Sequence, residues 1–437
     1  MQELYDTQAP NPPSRAILVG VKLRDTLMHE TEESLQELRQ LTETAGIEVV
    51  CETIQARNVP NPTYFIGEGK VKELKDVVAE LEADAIIFDE ELSPAQTRNI
   101  ENVLDIATVD RTGLILQVFA QRALTSEARL QVALAQLEYA LPRLTRMWTH
   151  LSRIATSGGS GSGALRGPGE TQLEMDRRWV RRQISQVKKA LETVEKRRQV
   201  QRRNRAEKVK VSLVGYTNAG KSTLFNTLTG ENVLAEDKLF ATLDSTTRRV
   251  SLPENQNILL SDTVGFIKKL PHQLVAAFKA TLEEVAEADL LLHVVDISHP
   301  EAETQIAAVD TVLQELDASD IPMVMAFNKI DQLEKEDQLH ILKAHYPEAI
   351  PISAQRGDGI EVLMEALAQR FASHGTMIDL SIPYTEGKAL DMLYKHGTVL
   401  GTEYAEDGVH VKARLPSRYL KSVLQFSVKD TETPIYN

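Results

Sequence analysis

The stretch VKVSLVGYTNAGKSTLFNTLTG (209–230) decides the fold, because a run of strand-forming residues leads directly into a glycine-rich loop and a helical pattern. Strand, loop and helix in this order are the context in which a GxxxxGKS sequence binds phosphate groups. Gly215 and Gly220 permit the tight path of the loop, whose N–H groups surround the phosphates. Lys221 reaches the terminal phosphates, and the hydroxyl of Ser222 ligates Mg²⁺. The stretch predicts a P-loop domain with a mostly parallel sheet.

A second phosphate-side element lies in NILLSDTVG (257–265), at the end of another predicted strand. The carboxylate of Asp262 can hold Mg²⁺ through a water, and the N–H of Gly265 can contact the γ-phosphate. This pair predicts where the terminal phosphate and its metal ion lie.

A switch segment, LFATLDSTTRR (239–249), lies between these two elements and should carry a threonine to Mg²⁺. We assign this role to Thr242. Thr246 and Thr247 remain alternatives, because spacing alone does not decide among the three residues.

The base-reading element is IPMVMAFNKID (321–331), which places Asn328, Lys329 and Asp331 at the end of a strand. The Asp331 carboxylate can accept hydrogen bonds from the ring N–H and the exocyclic amine of guanine, whereas adenine offers no such pair of donors. Because a buried acceptor left unpaired costs about 1–3 kcal/mol, guanine should be selected. AIPISAQ (349–355) then supplies backbone that can meet the guanine O6. In this order the motifs predict a domain that binds and hydrolyses GTP.

Phe266 follows DTVG at the position where many GTPases carry a glutamine that orients the attacking water. A phenylalanine cannot orient a water, so another part of the chain or a partner must do so. We therefore expect slow hydrolysis by the isolated protein and completion of the site by a partner. Asn218 occupies the P-loop position that, in GTPases resembling this one, can coordinate a K⁺ ion in place of an arginine finger. The alternative is that Asn218 ties the loop down through hydrogen bonds.

The composition of the 437 residues, 42% hydrophobic and 26% charged, is typical of a multidomain globular protein. No apolar run approaches the ~20 residues that cross a bilayer, and the first residues lack the pattern of a signal peptide. The single cysteine, Cys51, cannot form an internal disulfide. These features predict no membrane span and a cytoplasmic location, with peripheral association with a membrane left open.

The chain divides into four predicted domains. Short apolar runs alternate with helical stretches in 1–111, which predicts an N-terminal α/β domain with mostly parallel strands. Residues 112–207 indicate a long antiparallel helical hairpin, 208–374 the GTPase domain, and 375–437 a small C-terminal α/β domain. FIGEGK (65–70) lacks the full spacing of a phosphate loop, so we interpret it as a turn that opens a helix.

Both helices of the predicted hairpin have apolar residues at steps of three and four, which predicts pairing along one seam. The seam residues are Leu130, Leu134, Leu137, Leu141 and Leu144 in the first helix, and Val180, Ile184, Val187, Leu191 and Val194 in the second. The second helix, about 171–205, would extend ~50 Å at 1.5 Å per residue. This length predicts an arm.

The arm has a local excess of positive charge, although the whole protein has a net charge of −14. Residues 171–210 contain 14 Lys or Arg against 5 Asp or Glu. The clustered residues are Arg177, Arg178, Arg181 and Arg182. Their spacing places charge on both sides of the helix, which predicts contacts with RNA phosphates. A solvated face of a coiled coil is the alternative.

A glycine-rich loop, 149–170, joins the two helices and contains Arg153 and Arg166. It is much longer than a helical hairpin requires, and long loops of this kind are commonly functional. A glycine-rich tip can enter a crevice in which bulkier side chains would clash, so we expect both arginines to contact RNA. A flexible linker is the alternative.

Several stretches beyond the GTPase motifs resemble the HflX family of translation-factor-class GTPases, and the resemblance runs through nearly the whole chain. They are YFIGEGKVKEL (64–74), IIFDEELSPAQTRNIE (86–101), DRTGLILQVFAQRA (110–123) and LRGPGETQLEMDRR (165–178). The last looks like the glycine-rich signature at the tip of the helical domain in that family. SGGSGSGAL (157–165) departs from the family's more regular glycine run.

The resemblance implies binding to the large ribosomal subunit, with the arm directed towards the peptidyl-transferase centre, and splitting or rescue of stalled ribosomes under stress such as heat. It also implies Mg²⁺ at Ser222 and Thr242, with Lys221, Thr242 and Gly265 as catalytic residues. The implied contacts with GTP or GDP are Gly215, Tyr216, Thr217, Asn218, Ala219, Gly220, Lys221, Ser222, Phe240, Ala241, Thr242, Leu243, Asp244, Asp262, Thr263, Val264, Gly265, Asn328, Lys329, Ile330, Asp331, Ser353, Ala354 and Gln355.

Two other functions remain open from the sequence. A signalling GTPase that acts on protein partners would use the arm as a dimerising coiled coil, so it would self-associate, whereas we expect a monomer. An ATP-dependent RNA remodeller would need an adenine-tolerant site outside the GTPase domain. Residues 1–110 give no independent sign of such a site.

Overall fold

A computed structural model gives the structure of the protein. The residues described are 13–144, 172–203, 209–230, 239–253, 256–269, 284–333, 336–373, 376–396, 398–405, 408–415 and 422–427. The glycine-rich loop 149–170, with Arg153 and Arg166, lies outside them. Within these ranges, no helix combines the length and the apolar character that a membrane span requires.

The N-terminal part is a parallel sheet with helices on both faces. Its elements are β1 (Arg15–Lys22), α1 (Met28–Thr44), β2 (Glu48–Ala56), α2 (Glu68–Leu81), β3 (Ala85–Phe88), α3 (Pro94–Leu104), β4 (Ala107–Asp110) and α4 (Arg111–Arg122). The strands run parallel in the order β2-β1-β3-β4. Alternate residues of β1 are buried on opposite faces: Leu18 packs in the core with α1 and α4, and Val19 in the core with α2 and α3. This is the parallel α/β arrangement that the sequence predicts.

N-cap residues mark where three of these helices begin, and two of them cap through a side chain. The hydroxyl of Ser93 accepts a hydrogen bond from the N–H of Gln96 at 3.3 Å and caps α3. Asp110 caps α4 by accepting from the N–H of Gly113 at 2.9 Å, so this helix begins directly at the end of β4. Gly67 is the N-cap of α2, so FIGEGK opens a helix, as predicted.

The predicted hairpin consists of α5 (Ser126–Arg143) and α6 (Gln172–Arg203). Leu130 and Leu134 of α5 are buried against Val187 of α6. Their partly buried neighbours in the seam are Leu137, Ile184, Ala190, Leu191 and Val194. The apolar seam of α6 from Ile184 to Val194 is therefore covered by a helix of the same chain.

The GTPase domain is a six-stranded sheet with helices on both faces. Its elements are β5 (Val209–Val214), α7 (Lys221–Thr229), β6 (Thr246–Ser251), β7 (Asn257–Asp262), β8 (Leu290–Asp296), α8 (Ala302–Glu315), β9 (Met323–Asn328), α9 (Glu336–His345), β10 (Ile350–Pro351) and α10 (Ile360–Ser373). The strand order is β10-β9-β8-β5-β7-β6, and every neighbouring pair is parallel except β6 with β7. The carboxyl ends of β5, β7, β9 and β10 therefore lie at one edge, which gathers the four nucleotide motifs.

One hydrophobic core joins the N-terminal part to the GTPase domain. Leu114 and Phe119 of α4 belong to the same buried cluster as Tyr216, Phe240 and Phe266. The opposite face of the GTPase sheet has a separate core beneath α7 and α10. The N-terminal part and the GTPase domain therefore meet through an apolar interface.

The C-terminal part is a small antiparallel sheet with one helix. Its elements are β11 (Thr376–Ile382), α11 (Gly387–His396), β12 (Thr398–Ala405) and β13 (Gly408–Leu415). The strands are ordered β11-β13-β12. Leu393 of α11 packs with Leu380 and Val411 on one face of the sheet, which gives this part a core of its own.

Candidate nucleotide-binding site

The P-loop runs from the end of β5 to Lys221, the first residue of α7. The buried Nζ of Lys221 donates to the carbonyl oxygens of Gly215, at 3.0 Å, and Tyr216, at 2.6 Å. Burial lowers the pKa of Lys221 to about 8, and the nearby carboxylate of Asp262 opposes this shift. Lys221 lines the cavity beside the loop, where an ammonium group can meet the terminal phosphates.

Two glycines allow close approaches that any side chain would prevent. Gly220 has a φ of +92°, and a Cβ there would lie 2.2 Å from the amide nitrogen of Asn328. A Cβ at Gly265 would lie 2.9 Å from Lys221 Nζ and 2.9 Å from the Cα of Thr217. Glycine at these positions therefore lets the P-loop touch both the base-reading element and the DTVG element.

Three oxygen-bearing side chains meet beside the P-loop. Ser222 Oγ lies 2.9 Å from Thr242 Oγ1 and 2.8 Å from Asp262 Oδ2. Thr242 Oγ1 lies 3.1 Å from Asp262 Oδ2. The other carboxylate oxygen of Asp262 is buried and has no hydrogen-bond partner within the described residues. Burial raises the pKa of Asp262, although Lys221 and the two hydroxyls act in the opposite direction. These oxygen donors are the ligands that Mg²⁺ prefers, so the residues present fit the ion.

The structure separates Thr242 from the two alternatives in the switch segment. Thr246 and Thr247 belong to β6, and Thr247 Oγ1 lies 2.9 Å from Ser261 Oγ. Thr242 is the residue whose hydroxyl lies against both Ser222 and the Asp262 carboxylate. The three threonines, which spacing alone does not distinguish, therefore differ in where their side chains lie.

Phe266 contributes its ring to the core and its backbone to the P-loop. The side chain is 1% exposed and lies in the cluster shared with the N-terminal part. Its N–H donates to Gly215 O at 3.1 Å, and its carbonyl accepts from the N–H of Thr217 at 2.7 Å. The ring therefore has a packing role, while the backbone fixes the segment after Gly265 against the P-loop.

Asn328 connects the base-reading element to two loops. Its amide nitrogen donates to Ala219 O at 2.8 Å, and its amide oxygen accepts from the N–H of Ala354 at 2.9 Å. Ser353 is fully buried, and its hydroxyl accepts from the N–H of Arg356 at 3.1 Å. Through Asn328, the P-loop and the loop after β10 take fixed positions relative to each other.

Lys329 and Asp331 follow at the edge of the sheet. Lys329 has a φ of +63°, and its Nζ pairs with Asp296 Oδ2 at 2.7 Å. The side chain of Asp331 is only 9% exposed and lies 3.7 Å from the guanidinium of Arg356. Its carboxylate is thus held at the strand edge, where two acceptor oxygens can read a purine.

The remaining residues predicted to contact the nucleotide differ in exposure. The buried ones are Tyr216, Thr217, Ala219, Phe240, Leu243, Thr263 and Val264. Ala241, Asp244 and Ile330 are half-buried, and Asn218 and Gln355 are exposed. Asn218, Ala241 and Thr263 line the cavity beside the P-loop. The Asp244 carboxylate instead accepts the N–H of Leu124, at the turn between α4 and α5.

Comparison with known proteins agrees with this arrangement along the chain. Residues 32–120 match the GTP-binding GTPase N-terminal family, 122–205 the GTP-binding GTPase middle region, and 210–329 the 50S ribosome-binding GTPase family. The chain is 47% identical to GTPase HflX of Escherichia coli over 388 residues, which cover 88% of this chain and 90% of that protein. It is 44% identical to GTPase HflX of Lacrimispora saccharolytica over 411 residues, or 94% of this chain and 95% of that one. The chain belongs to the HflX family of GTPases.

This HflX-family protein is a GTP-hydrolysing enzyme, as its relatives and its GTPase domain show. Among solved structures, a GTP-binding protein of Sulfolobus solfataricus in complex with GDP aligns with a TM-score of 0.43 at 26% identity. The alignment covers 82% of this chain and 98% of that chain.

A charged network in this HflX-family protein reaches the P-loop from the N-terminal part, and the sequence did not predict it. Glu37 of α1 accepts hydrogen bonds from the hydroxyl of Tyr216 and from the guanidinium of Arg111. The same hydroxyl accepts from the N–H of Lys268 at 2.8 Å, and Arg111 Nη2 donates to Lys268 O at 3.2 Å. Both backbone groups of Lys268, two residues after Phe266, are therefore held by this network.

Asp89 extends the network to the end of β3. It accepts from Arg111 Nη1 at 2.7 Å and pairs with Lys269 Nζ at 2.6 Å. Burial acts to raise the pKa of Asp89, but Arg111 and Lys269 hold it below its usual value. Asp89 and Arg111 each directly follow a strand of the parallel sheet, and functional polar groups of α/β proteins are common at such strand ends. This position in the sequence could have identified them.

The arginines predicted to bind RNA lie on α6 of the HflX-family arm or outside the described residues. Arg178, Arg181 and Arg182 are exposed, and Arg177 is half-buried. Trp179 beside them is 48% exposed. This part of α6 therefore presents both charge and an aromatic ring to solvent.

Proposed function

We propose that this HflX-family GTPase binds GTP with Mg²⁺ in the site described above and that a partner completes the site for fast hydrolysis. The observation that carries the proposal is the convergence of the Ser222, Thr242 and Asp262 oxygens beside the buried Lys221. Ser222 and Thr242 would hold the ion directly, and Asp262 through a water. The bound ion supplies neutralisation of the charge on the phosphates during their transfer.

The chain's own groups bind and orient the nucleotide. Lys221 and the N–H of Gly265 meet the γ-phosphate, while Asp331 and the backbone of the loop after β10 select guanine. Asn218, exposed at the rim of the cavity, is the residue that would contact K⁺. A higher turnover in K⁺ than in Na⁺, lost in Asn218→Ala, would support that contact, and equal turnover in both salts would contradict it.

The partner that we propose is the large ribosomal subunit. The family model matched by 210–329 describes a 50S ribosome-binding GTPase, and the exposed arginines of α6 offer charge to RNA phosphates. The basic arm would then approach ribosomal RNA while the GTPase domain carries the nucleotide. Splitting or rescue of stalled ribosomes under stress is the outcome we propose for this binding, in the cytoplasm and by a monomer.

Binding through phosphates predicts a steep dependence on salt, which co-sedimentation with large subunits in a non-hydrolysable GTP analogue can measure. Arg181→Glu/Arg182→Glu should weaken binding and flatten the salt dependence, because fewer counterions are then released. Lys72→Glu/Lys75→Glu on α2 is a matched control with the same change in charge at exposed positions. Equal loss of binding in both double variants would reject the arm as the contact.

GTP turnover with and without large subunits tests the role of the partner. We expect subunits to raise turnover, because the backbone around Phe266 is fixed and its side chain offers no polar group. Equal rates would contradict this part of the proposal. Separation of whole ribosomes into subunits, followed by sedimentation, tests the proposed splitting, and intact ribosomes at saturating protein and GTP would reject it.

A dimerising coiled coil receives less support from the structure. The apolar residues of α6 from Ile184 to Val194, which a second chain would need, already pack against α5. Sedimentation equilibrium should therefore give the mass of one chain.

A further inference from the structure

The segment that carries Thr242 is held on both sides by residues outside the GTPase domain. On one side, the ring of Phe240 packs edge-on against Phe119 of α4, with ring centroids 4.6 Å apart and planes at 77°. On the other side, the Asp244 carboxylate accepts hydrogen bonds from the backbone of the α4–α5 corner (Ala123–Thr125). Thr242 thus lies between two anchored neighbours.

The hydrogen bonds at the α4–α5 corner are specific. Asp244 Oδ2 accepts from the N–H of Leu124 at 2.9 Å and from the N–H of Thr125 at 3.1 Å. The hydroxyl of Thr125 donates to the other oxygen of the same carboxylate. One carboxylate therefore takes three donors, an arrangement that fixes its position more tightly than a single bond.

The corner is itself part of the arm. Thr125 is the N-cap of α5, and its hydroxyl oxygen accepts from the N–H of Ala128 at 3.1 Å. Arg129 Nε donates back to Ala123 O at 3.1 Å, which closes the turn. The residue that holds Asp244 is thus the residue from which the arm begins.

The switch segment also has little freedom between its two anchors. Phe240 is 2% exposed and has a φ of +56°, and Leu243 is equally buried in the core shared with α4. Of the five residues 240–244, only Ala241 and Thr242 have neither a side chain in that core nor a hydrogen bond to the corner. Because only these two residues separate the anchored neighbours, the anchors determine where the Thr242 hydroxyl lies.

We propose that Phe119 and Thr125 are positioning residues for Thr242, through which the base of the arm places its hydroxyl for Mg²⁺ before the nucleotide binds. This inference rests on the proposed function, in which Thr242 is a ligand of the ion. Ordering the switch segment then costs little conformational entropy when GTP and Mg²⁺ bind. A displacement of α5 would in turn displace Asp244 and, two residues away, the metal-binding hydroxyl.

The release rate of a fluorescent, non-hydrolysable GTP analogue, measured over a range of Mg²⁺ concentrations, tests the inference without any turnover. Phe119→Leu/Thr125→Ala removes the ring contact and the hydroxyl but leaves the GTPase domain unaltered. We expect the Mg²⁺ concentration for half-maximal slowing of release to rise about tenfold, the loss expected for a hydrogen bond to a charged group together with a packed ring. An unchanged concentration would overturn the inference.

Two further variants separate positioning from loss of a helix cap. Ser93→Ala removes the matching cap of α3, whose hydroxyl bonds with Gln96 of the same helix, and should leave the Mg²⁺ dependence unaltered. Thr125→Ser keeps the hydroxyl and should behave as the wild type. A shift in Ser93→Ala equal to that of the double variant would overturn the inference. If the double variant does not fold, Phe119→Leu alone decides by the same measurement.

Thr242→Ala distinguishes failure of this inference from failure of the proposed function. If Thr242→Ala leaves the Mg²⁺ dependence unchanged, Thr242 is not a ligand and the proposed site is wrong. If Thr242→Ala shifts it and the double variant does not, only the positioning role is wrong. In the Thr242→Ala background, the double variant should add no further shift, because its effect acts through the missing hydroxyl.

Discussion

The phosphate side and the base side of the nucleotide site differ in what holds them in place. On the base side, the bonds described for Asn328, Lys329 and Asp331 all go to residues of the GTPase domain itself. On the phosphate side, Tyr216 is bonded to Glu37 of the N-terminal part, and the residues flanking Thr242 are anchored at the α4–α5 corner.

This difference separates recognition from chemistry. Guanine selection depends on contacts within one domain, so it should persist when the rest of the chain moves. The geometry around the terminal phosphate depends on three parts of the chain at once. A partner that binds the arm or the N-terminal part can therefore alter hydrolysis without altering which base is bound.

The largest effect should come from the glycine at which the two sides touch. Gly220→Ala would place a methyl group 2.2 Å from the Asn328 amide, at a φ that disfavours side chains. We expect GTP affinity to fall by about 100-fold or more, because both the P-loop and the base-reading element must shift. Titration calorimetry with GTP measures this.

Gly230→Ala is the matched control for backbone strain. Gly230 also has a positive φ, +70°, but a Cβ there meets nothing within 4 Å. It should lower stability by about 1 kcal/mol and leave GTP affinity within about twofold of the wild type. Similar losses of affinity in the two variants would show that strain, and not the contact with Asn328, is responsible.

The next effect concerns the base side alone. Asp331→Asn replaces an acceptor with an amide donor, so GTP affinity should fall by about 100-fold, whereas xanthosine triphosphate, which carries a carbonyl where guanine has its amine, should bind. Turnover at saturating xanthosine triphosphate should stay within about threefold of wild-type turnover with GTP, because the phosphate side is unaltered. A large fall in that turnover would show that the two sides are not separable.

A smaller effect is expected at the link between the phosphate side and the N-terminal part. Tyr216→Phe removes the hydroxyl that donates to Glu37 and accepts from the N–H of Lys268. Loss of this buried bond should cost about 1–2 kcal/mol, which lowers the melting temperature by about 2–4 °C.

Tyr384→Phe serves as the control for that variant, because its hydroxyl also donates a hydrogen bond, to Ala405 O at 2.8 Å, but at an exposed position. Water can replace that bond, so its melting temperature should change by less than about 1 °C. Equal changes in the two variants would mean that Tyr216 adds no more than a surface contact.

The motifs with fixed spacing could be located from the sequence, because each depends on backbone geometry at the end of one strand. The P-loop, DTVG, NKID and SAQ elements all lie at one edge of the GTPase sheet. Which of the hydroxyls of Thr242, Thr246 and Thr247 lies beside Ser222 required the structure, because three nearby hydroxyls differ only in where the chain turns.

The contacts between parts of the chain were not predictable from local pattern. Glu37 and Tyr216 are 179 positions apart, and nothing in either segment specifies the other. Phe266 shows the same limit: the sequence indicates what its side chain lacks, whereas only the structure shows that the ring fills a core shared with α4.

The shared core has a consequence for how the chain is made. The N-terminal part leaves the ribosome first, and its surface at Leu114 and Phe119 stays uncovered until the segments with Phe240 and Phe266 are synthesised. A nascent chain in this state exposes apolar surface, which can bind chaperones or aggregate. A GTPase domain expressed alone would expose the other side of the same core, at Phe240 and Phe266. Poor solubility of such a fragment would therefore reflect the absence of the N-terminal part and not a defect in the fragment's own fold.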